Sequence, residues 1–312
     1  MRKALIVGIN EYPGRPLRGC VNDANMIADL LEINDDDSIN FDVMRCHNLK
    51  TKDELRSKIY DLFKHDDEIS LFYFSGHGSI TKYGGYLITP DFTRYDIGIS
   101  MDEILTIASL SPARHKIVIL DCCYAGAMGT PAFNENTAAF LAKGVTILAA
   151  SRDDEPSVEM AGHGVFTSLL AEALRGGAAD IPGEVRPGNL YSYIDKALGV
   201  WQQRPVFKAN IVESVCLRKV KPAMPLPDLR QLAHYFPAPD HLFQLDPSYE
   251  ESHAGSDPAH VQIFKTFRRL QVLRLLEPVD EEYMYYAAMK SKCCRLTPMG
   301  VYYWNLIKNR RL

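Results

Sequence analysis

Strand-like and helix-like segments that alternate through short connections predict an α/β fold, with a mostly parallel sheet and helices on both faces. Two runs carry most of that expectation. Ile69 to Phe74 and Lys116 to Leu120 are dominated by aliphatic and aromatic residues and are too short for helices, as strands buried on both faces of a sheet are. Both end in polar, glycine-bearing tips, Ser75-Gly76-His77-Gly78 and Asp121-Cys122-Cys123-Tyr124-Ala125-Gly126. The C-terminal ends of parallel strands are where open α/β sheets place their chemistry.

In chain order, Lys3 to Ile9 reads as a first core strand, and a Pro- and Gly-rich loop follows over 10–19. Ala24, Ile27, Ala28, Leu30 and Leu31 share one face of a helix that Asn22 or Asp23 can cap. Phe41 to Arg45 is a short second strand. Thr51-Lys52-Asp53-Glu54 is a capping box that opens a second helix, with Leu55, Ile59, Leu62 and Phe63 turned inward. The His77 strand comes next, then a helix over 100–108, then the Cys123 strand. Gly144 to Ser151 reads as a fifth strand, followed by the acidic loop Arg152 to Pro156 and a helix over 164–174 that Arg175-Gly176-Gly177 closes. A helix over 190–200 and a last strand over Ala209 to Leu217 complete the domain, residues 1–218.

Three prolines lie between residues 222 and 227, which marks 219–228 as a Pro-rich linker. Residues 229–312 differ in character: helical patterning over 259–275, a tyrosine-rich segment at 283–286, and an end that resembles the last helix and wing of a small winged-helix module. Charge there is nearly balanced, so protein docking is favoured over nucleic-acid binding. The whole chain has 312 residues and a net charge of −4, with no basic field of the kind nucleic-acid binders carry. No apolar run approaches the ~18 residues of a membrane span, and Met1-Arg2-Lys3 leads straight into a strand rather than a signal-peptide core. The seven scattered cysteines show no CxxC spacing, which suits reduced thiols in a cytoplasmic protein better than disulfides or zinc.

Period-two alternation along a strand puts Asp121 and Cys123 on one side and Cys122 on the other, and likewise groups Ser75 with His77. If the two strands are neighbours, a thiol nucleophile and an acid/base imidazole share one crevice. A single Cys or His at a strand end is ordinary packing; the convergence of Asp121, Cys123, Ser75 and His77 is not. A second Gly-His-Gly, at Gly162-His163-Gly164, precedes a helix instead of ending an apolar strand, and reads as an ordinary loop histidine.

Over roughly the first 217 residues the chain resembles the caspase-like peptidases, in particular the metacaspase and bacterial caspase-homologue branch. The residues that carry the resemblance are Val7-Gly8-Ile9-Asn10 with Tyr12, Gly19-Cys20-Val21-Asn22-Asp23-Ala24, Tyr73 to Gly78, Asp121 to Gly126, and Gly164-Val165-Phe166-Thr167 with Leu170. The Gln-Ala-Cys-x-Gly of animal caspases is absent. The resemblance implies a three-layer α/β/α sandwich with a mostly parallel six-stranded sheet. It makes Cys123 the nucleophile and His77 its acid/base partner, with the backbone N–H groups of Gly78 and Cys123 holding the oxyanion.

It also implies an S1 pocket made of Asp23, Cys20, Ser75 and Asp121. Two carboxylates in one cleft repel unless a cation lies between them, and a substrate Arg or Lys supplies one, so cleavage after Arg or Lys is expected. For Asp23 the alternative is a helix cap and nothing more. Metacaspases often need calcium, but their calcium carboxylates find no match in the apolar or small residues after Gly126, so no cofactor and no metal site are assigned and calcium dependence stays open. The connection 124–142 holds no Lys or Arg, so such an enzyme could not cut itself there; Arg218, Lys219 or Lys221 would be the place for any self-cleavage. The expectation is a cysteine endopeptidase acting on proteins or peptides, recruited or regulated by a protein partner through its C-terminal domain. The competing expectation is a catalytically silent caspase-like scaffold that binds protein or DNA.

Overall fold

The computed structural model describes residues 1–128, 141–150, 159–160, 163–198 and 204–312. Two compact units make up the chain: residues 1–179 with 183–221, and residues 180–182 with 222–312.

The first unit is built on strands β1 (Arg2–Gly8), β2 (Asp42–His47) and β3 (Ile69–Ser75), a side hairpin β4 (Gly78–Thr81), β5 (Gly84–Ile88) and β6 (Gly98–Ser100), then β7 (His115–Asp121) and β8 (Val145–Ala149). Short pairs follow: β9 (Glu159–Met160) with β10 (His163–Gly164), and β11 (Glu184–Val185) with β13 (Arg218–Lys219), on either side of β12 (Val206–Asn210). The helices are α1 (Cys20–Glu32), α2 (Lys52–Phe63), α3 (Met101–Leu110), α4 (Val165–Glu172) and α5 (Pro187–Leu198). The central sheet has six strands in the order β12-β8-β7-β3-β1-β2, all parallel except β12.

Alternation along the central strands produces two cores. Ala4, Ile6, Leu71, Tyr73, Ile117 and Ile119 pack with residues of α1, α4 and α5. Leu5, Val7, Phe72, Phe74, Val118 and Leu120 pack with α2 and α3 on the opposite face. Every residue of β3 and β7 is buried, the reason their sequences are nearly continuous apolar runs. The capping box of α2 forms as expected: Thr51 Oγ1 accepts from the Glu54 amide, and the Glu54 carboxylate accepts from the Thr51 amide.

Three expectations need correction. Helix α1 begins at Cys20 with Gly19 at its cap, so neither Asn22 nor Asp23 caps it. The last sheet strand is Val206–Asn210 and antiparallel, not 209–217. Between the His77 strand and α3 the chain forms the antiparallel hairpin β4-β5-β6, whose short strands carry no long apolar run. The stretch 219–228 is not a bare tether: Lys219 is paired in β13, Val220 joins the core, and Leu226–Arg230 is helical. At its start the expected cut sites are poorly placed. Arg218 is 7 % exposed; it donates to the carbonyls of Leu30 and Leu174 and pairs with Asp35. The connection 129–140 and the acidic loop 152–156 lie outside the described residues.

The second unit contains α6 (Leu226–Arg230), α7 (Leu232–Tyr235), α8 (Pro258–Val272), α9 (Met284–Met289) and α10 (Pro298–Lys308). They surround a three-stranded antiparallel sheet of β14 (Phe243–Gln244), β16 (Cys293–Leu296) and β15 (Leu276–Pro278), in that order. Phe236, Leu245, Phe264, Phe267, Leu270 and Leu275 are among the residues of its own core. Among the described residues no helix is long and apolar enough to cross a membrane.

Candidate active site

The register of β3 against β7 places Ser75 opposite Asp121. Both chains then leave the sheet side by side, and the Gly76 amide still donates to the Asp121 carbonyl at 3.4 Å. His77 and Cys123 each lie two residues past that last pair. Glycine is required beside them: a Cβ on Gly78 would fall 2.1 Å from the Cys123 carbonyl oxygen and 3.0 Å from Cys122 Sγ. The segments carrying His77 and Cys123 are thus in backbone contact.

The strand ends at Asp121, so alternation separates Asp121 from Cys122 but not from Cys123. Asp121 faces the α1/α4 side, where Tyr73 lies. Cys122 is buried in the α2/α3 core, where desolvation first and the Asp121 charge second push its thiol far above the usual range. Cys123 lies in the turn beyond, half-buried, followed by Tyr124 in the left-handed region at φ 59°. A turn, not the pleat, aims the second thiol.

His77 is held from two directions. Its Nε2 lies 2.8 Å from the Arg15 carbonyl oxygen. A carbonyl can only accept, so Nε2 carries the proton and Nδ1 is left as the basic nitrogen of the neutral ring. The His77 amide donates to the Tyr12 hydroxyl at 3.1 Å, and that hydroxyl donates to the Ile88 carbonyl at 3.2 Å. The Tyr12 ring meets the imidazole edge-on at 4.6 Å. Burial pushes the Tyr12 phenol up, so it stays neutral and can donate. The Ile88 amide donates to the His77 carbonyl, and the alternation of antiparallel pairing then turns the Gly78 N–H away from β5.

The four expected pocket residues Asp23, Cys20, Ser75 and Asp121 are all buried near the same end of the sheet. Gly8 allows α1 to sit tightly on β1, since a Cβ there would strike the Cys20 carbonyl at 2.3 Å. One turn on, Asp23 reaches over the sheet's C-terminal end. Tyr73 reports the cluster. Burial raises its phenol well above normal, and the charges of Asp121, Asp23 and Cys20 add to that. Its hydroxyl lies 2.6 Å from Thr167 Oγ1, which donates to Asp121 Oδ2 at 2.5 Å. The carboxylate only accepts, so the chain runs from Tyr73 to Thr167 to Asp121.

His163 is not an ordinary loop histidine. Its Nδ1 lies 2.7 Å from Asp23 Oδ1, and the Gly164 amide donates to Asp23 Oδ2 at 3.0 Å. The motif position of Thr167 was legible in the sequence, but its hydrogen-bond role was not. Arg15 acts through its carbonyl, which no side-chain pattern can signal. Among the described residues no group of three or more His, Cys, Asp or Glu is placed to hold a metal ion.

The family model of the caspase domain, peptidase family C14, matches residues 1–208. The chain belongs to the caspase-domain family. It is therefore related to cysteine peptidases, and the caspase domain accounts for the first unit's sheet. Among solved structures the chain is similar to protein GSU0716 from Geobacter sulfurreducens, at 18 % identity and a TM-score of 0.50 over 68 % of this chain and 94 % of that one. It is also similar to caspase-1 from Spodoptera frugiperda, at 15 % identity and a TM-score of 0.47 over 70 % and 91 % of the two chains. At such identity the first likeness speaks for the fold alone. No curated protein matches the chain.

Proposed function

We propose that this caspase-domain protein is a cysteine endopeptidase that cuts after Arg or Lys. The observation that carries the reading is the backbone contact between the His77–Gly78 and Cys123 segments at the sheet's C-terminal end, beside two buried carboxylates. Cys123 Sγ attacks the scissile carbonyl while its proton passes to His77 Nδ1. That nitrogen then protonates the leaving amine, and water hydrolyses the thioester. The N–H groups of Gly78 and Cys123 hold the oxyanion, each such donor contributing about 3 kcal/mol in the transition state. The Arg15 carbonyl keeps the proton on Nε2 and the ring oriented. Asp23 and Asp121 select a cationic P1 side chain, with Cys20 and Ser75 completing the pocket. The second unit, with a core of its own, serves as the recruiting or regulatory module for a protein partner.

The test is turnover of fluorogenic peptides ending in Arg, Lys or Asp by wild type and Cys123→Ala. We expect kcat/KM for Arg or Lys to exceed that for Asp at least about a hundredfold, and Cys123→Ala to lose at least about a thousandfold. Equal or better cleavage after Asp would refute the specificity. Absence of hydrolysis by wild type would leave a binding scaffold instead.

A further inference from the structure

The acidic floor of the proposed P1 pocket is covered by the protein itself. Asp23 and Asp121 are only 2 % and 4 % exposed. One dipeptide lies over both. His163 Nδ1 and the Gly164 amide hold the two oxygens of Asp23 at 2.7 and 3.0 Å. Gly164 presses so closely on the other acid that a Cβ would fall 2.2 Å from Asp121 Oδ2, and 3.3 Å from Asp23 Oδ2. The His163 side chain is 38 % exposed, so one edge of the ring grips a buried carboxylate while the rest faces solvent.

Paired carboxylates withdrawn from water need donors or a cation. Asp121 takes the hydroxyl of Thr167, itself backed by Tyr73. Asp23 takes its donors from residues 163 and 164. The imidazole thus supplies to Asp23 the kind of N–H···carboxylate bond that a guanidinium or ammonium group of a substrate would supply.

We infer that His163 is an internal stand-in for the P1 cation, which must leave Asp23 before an Arg or Lys side chain can bind there. The inference rests on the Arg/Lys reading of the pocket and adds an internal competitor to it. Rotation about χ1 carries the ring toward the solvent it already faces, while the Gly164 amide can remain on Oδ2. Binding at P1 is then an exchange. A charge-assisted bond to His163 is broken as one to the substrate forms, so the resting contact weakens every P1 ligand.

The probe is agmatine, a guanidinium without a scissile bond, titrated by calorimetry into full-length Cys123→Ala and into the same protein carrying His163→Ala. Removing the competitor should tighten agmatine about tenfold, the scale of one charge-assisted hydrogen bond. In the active enzyme His163→Ala should lower KM for an Arg-peptide by a similar factor. Unchanged or weaker agmatine binding in the His163→Ala protein would overturn the inference.

A readout that leaves His163 in place covers a misfolded variant. In ring-¹⁵N-histidine-labelled Cys123→Ala, agmatine should shift the His163 ring nitrogen resonances, and unshifted resonances under saturating agmatine would overturn it equally. The two readings fail separately. Tighter agmatine binding with no peptide hydrolysis would sink the peptidase assignment alone. Hydrolysis after Arg with no effect of His163→Ala would sink this inference alone, and agmatine binding to neither protein would sink the cation-binding reading of the pocket together with this inference.

Discussion

Neighbouring thiols at the tip of β7 lie in different environments, and their chemistry should differ accordingly. Cys122 is buried and its thiol is pushed far up by desolvation, so it holds almost no thiolate at pH 7 to 8. Cys123 is half-buried in the turn beyond. Brief treatment of the native protein with iodoacetamide, followed by peptide mapping, should label Cys123 and spare Cys122; preferential labelling of Cys122 would contradict this. A second expectation concerns Thr167. Thr167→Val keeps the shape but leaves the buried Asp121 carboxylate without its hydroxyl donor and Tyr73 without its acceptor. The loss should be about 1–3 kcal/mol in chemical denaturation, and a change within experimental error would mean that other donors carry the network.

Among the elements, the join between β3 and β4 is tightly constrained, because Gly78, the first residue of β4, has no room for a side chain. Gly78→Ala should displace β4 or the Cys123 turn and, if the proposed peptidase reading holds, cost at least about a hundredfold in kcat/KM by misplacing the N–H groups proposed to hold the oxyanion. Peptide kinetics together with a melting curve would separate loss of activity from loss of fold. At the other end of β7, His115 is buried, and desolvation lowers its pKa below the usual 6.5, with Glu213 opposing the shift. The folded state therefore resists protonation that the unfolded chain accepts. Its contribution to stability is complete above pH 6.5 and is lost as pH falls from there toward the lower folded value. Melting temperature measured from pH 7.5 to 5 should fall less steeply for His115→Gln than for wild type; parallel slopes would remove His115 from the account.

For the whole molecule, the junction between the two units decides how the chain can be processed. Arg218 is buried and held by two carbonyls and Asp35, Lys219 is paired in a strand, and Lys221 is followed by Pro222. The proposed Arg/Lys-specific active site would need an extended, accessible segment, so we expect the protein to stay one chain during prolonged incubation. Intact-mass analysis checks this, and a cut after residue 218, 219 or 221 would show that the junction opens.

The sequence alone was enough for the two buried strands, the tips that carry His77 and Cys123, the capping box at Thr51, and the motif positions Asp23, Cys20, Ser75 and Asp121, which the fold buries near one end of the sheet. These follow from local periodicity, local chemistry and a motif order that resembles the caspase-like peptidases. Other features depended on the packed molecule. The hairpin after His77 has short strands with no long apolar run to announce them. The Arg15 carbonyl that orients His77 belongs to the backbone, which is the same at every residue. His163 meets Asp23 across 140 residues of chain, so its neighbouring glycines suggested only a loop. Covalent neighbours set which segments form; only packing brings a carboxylate and an imidazole so distant in the chain into one hydrogen bond.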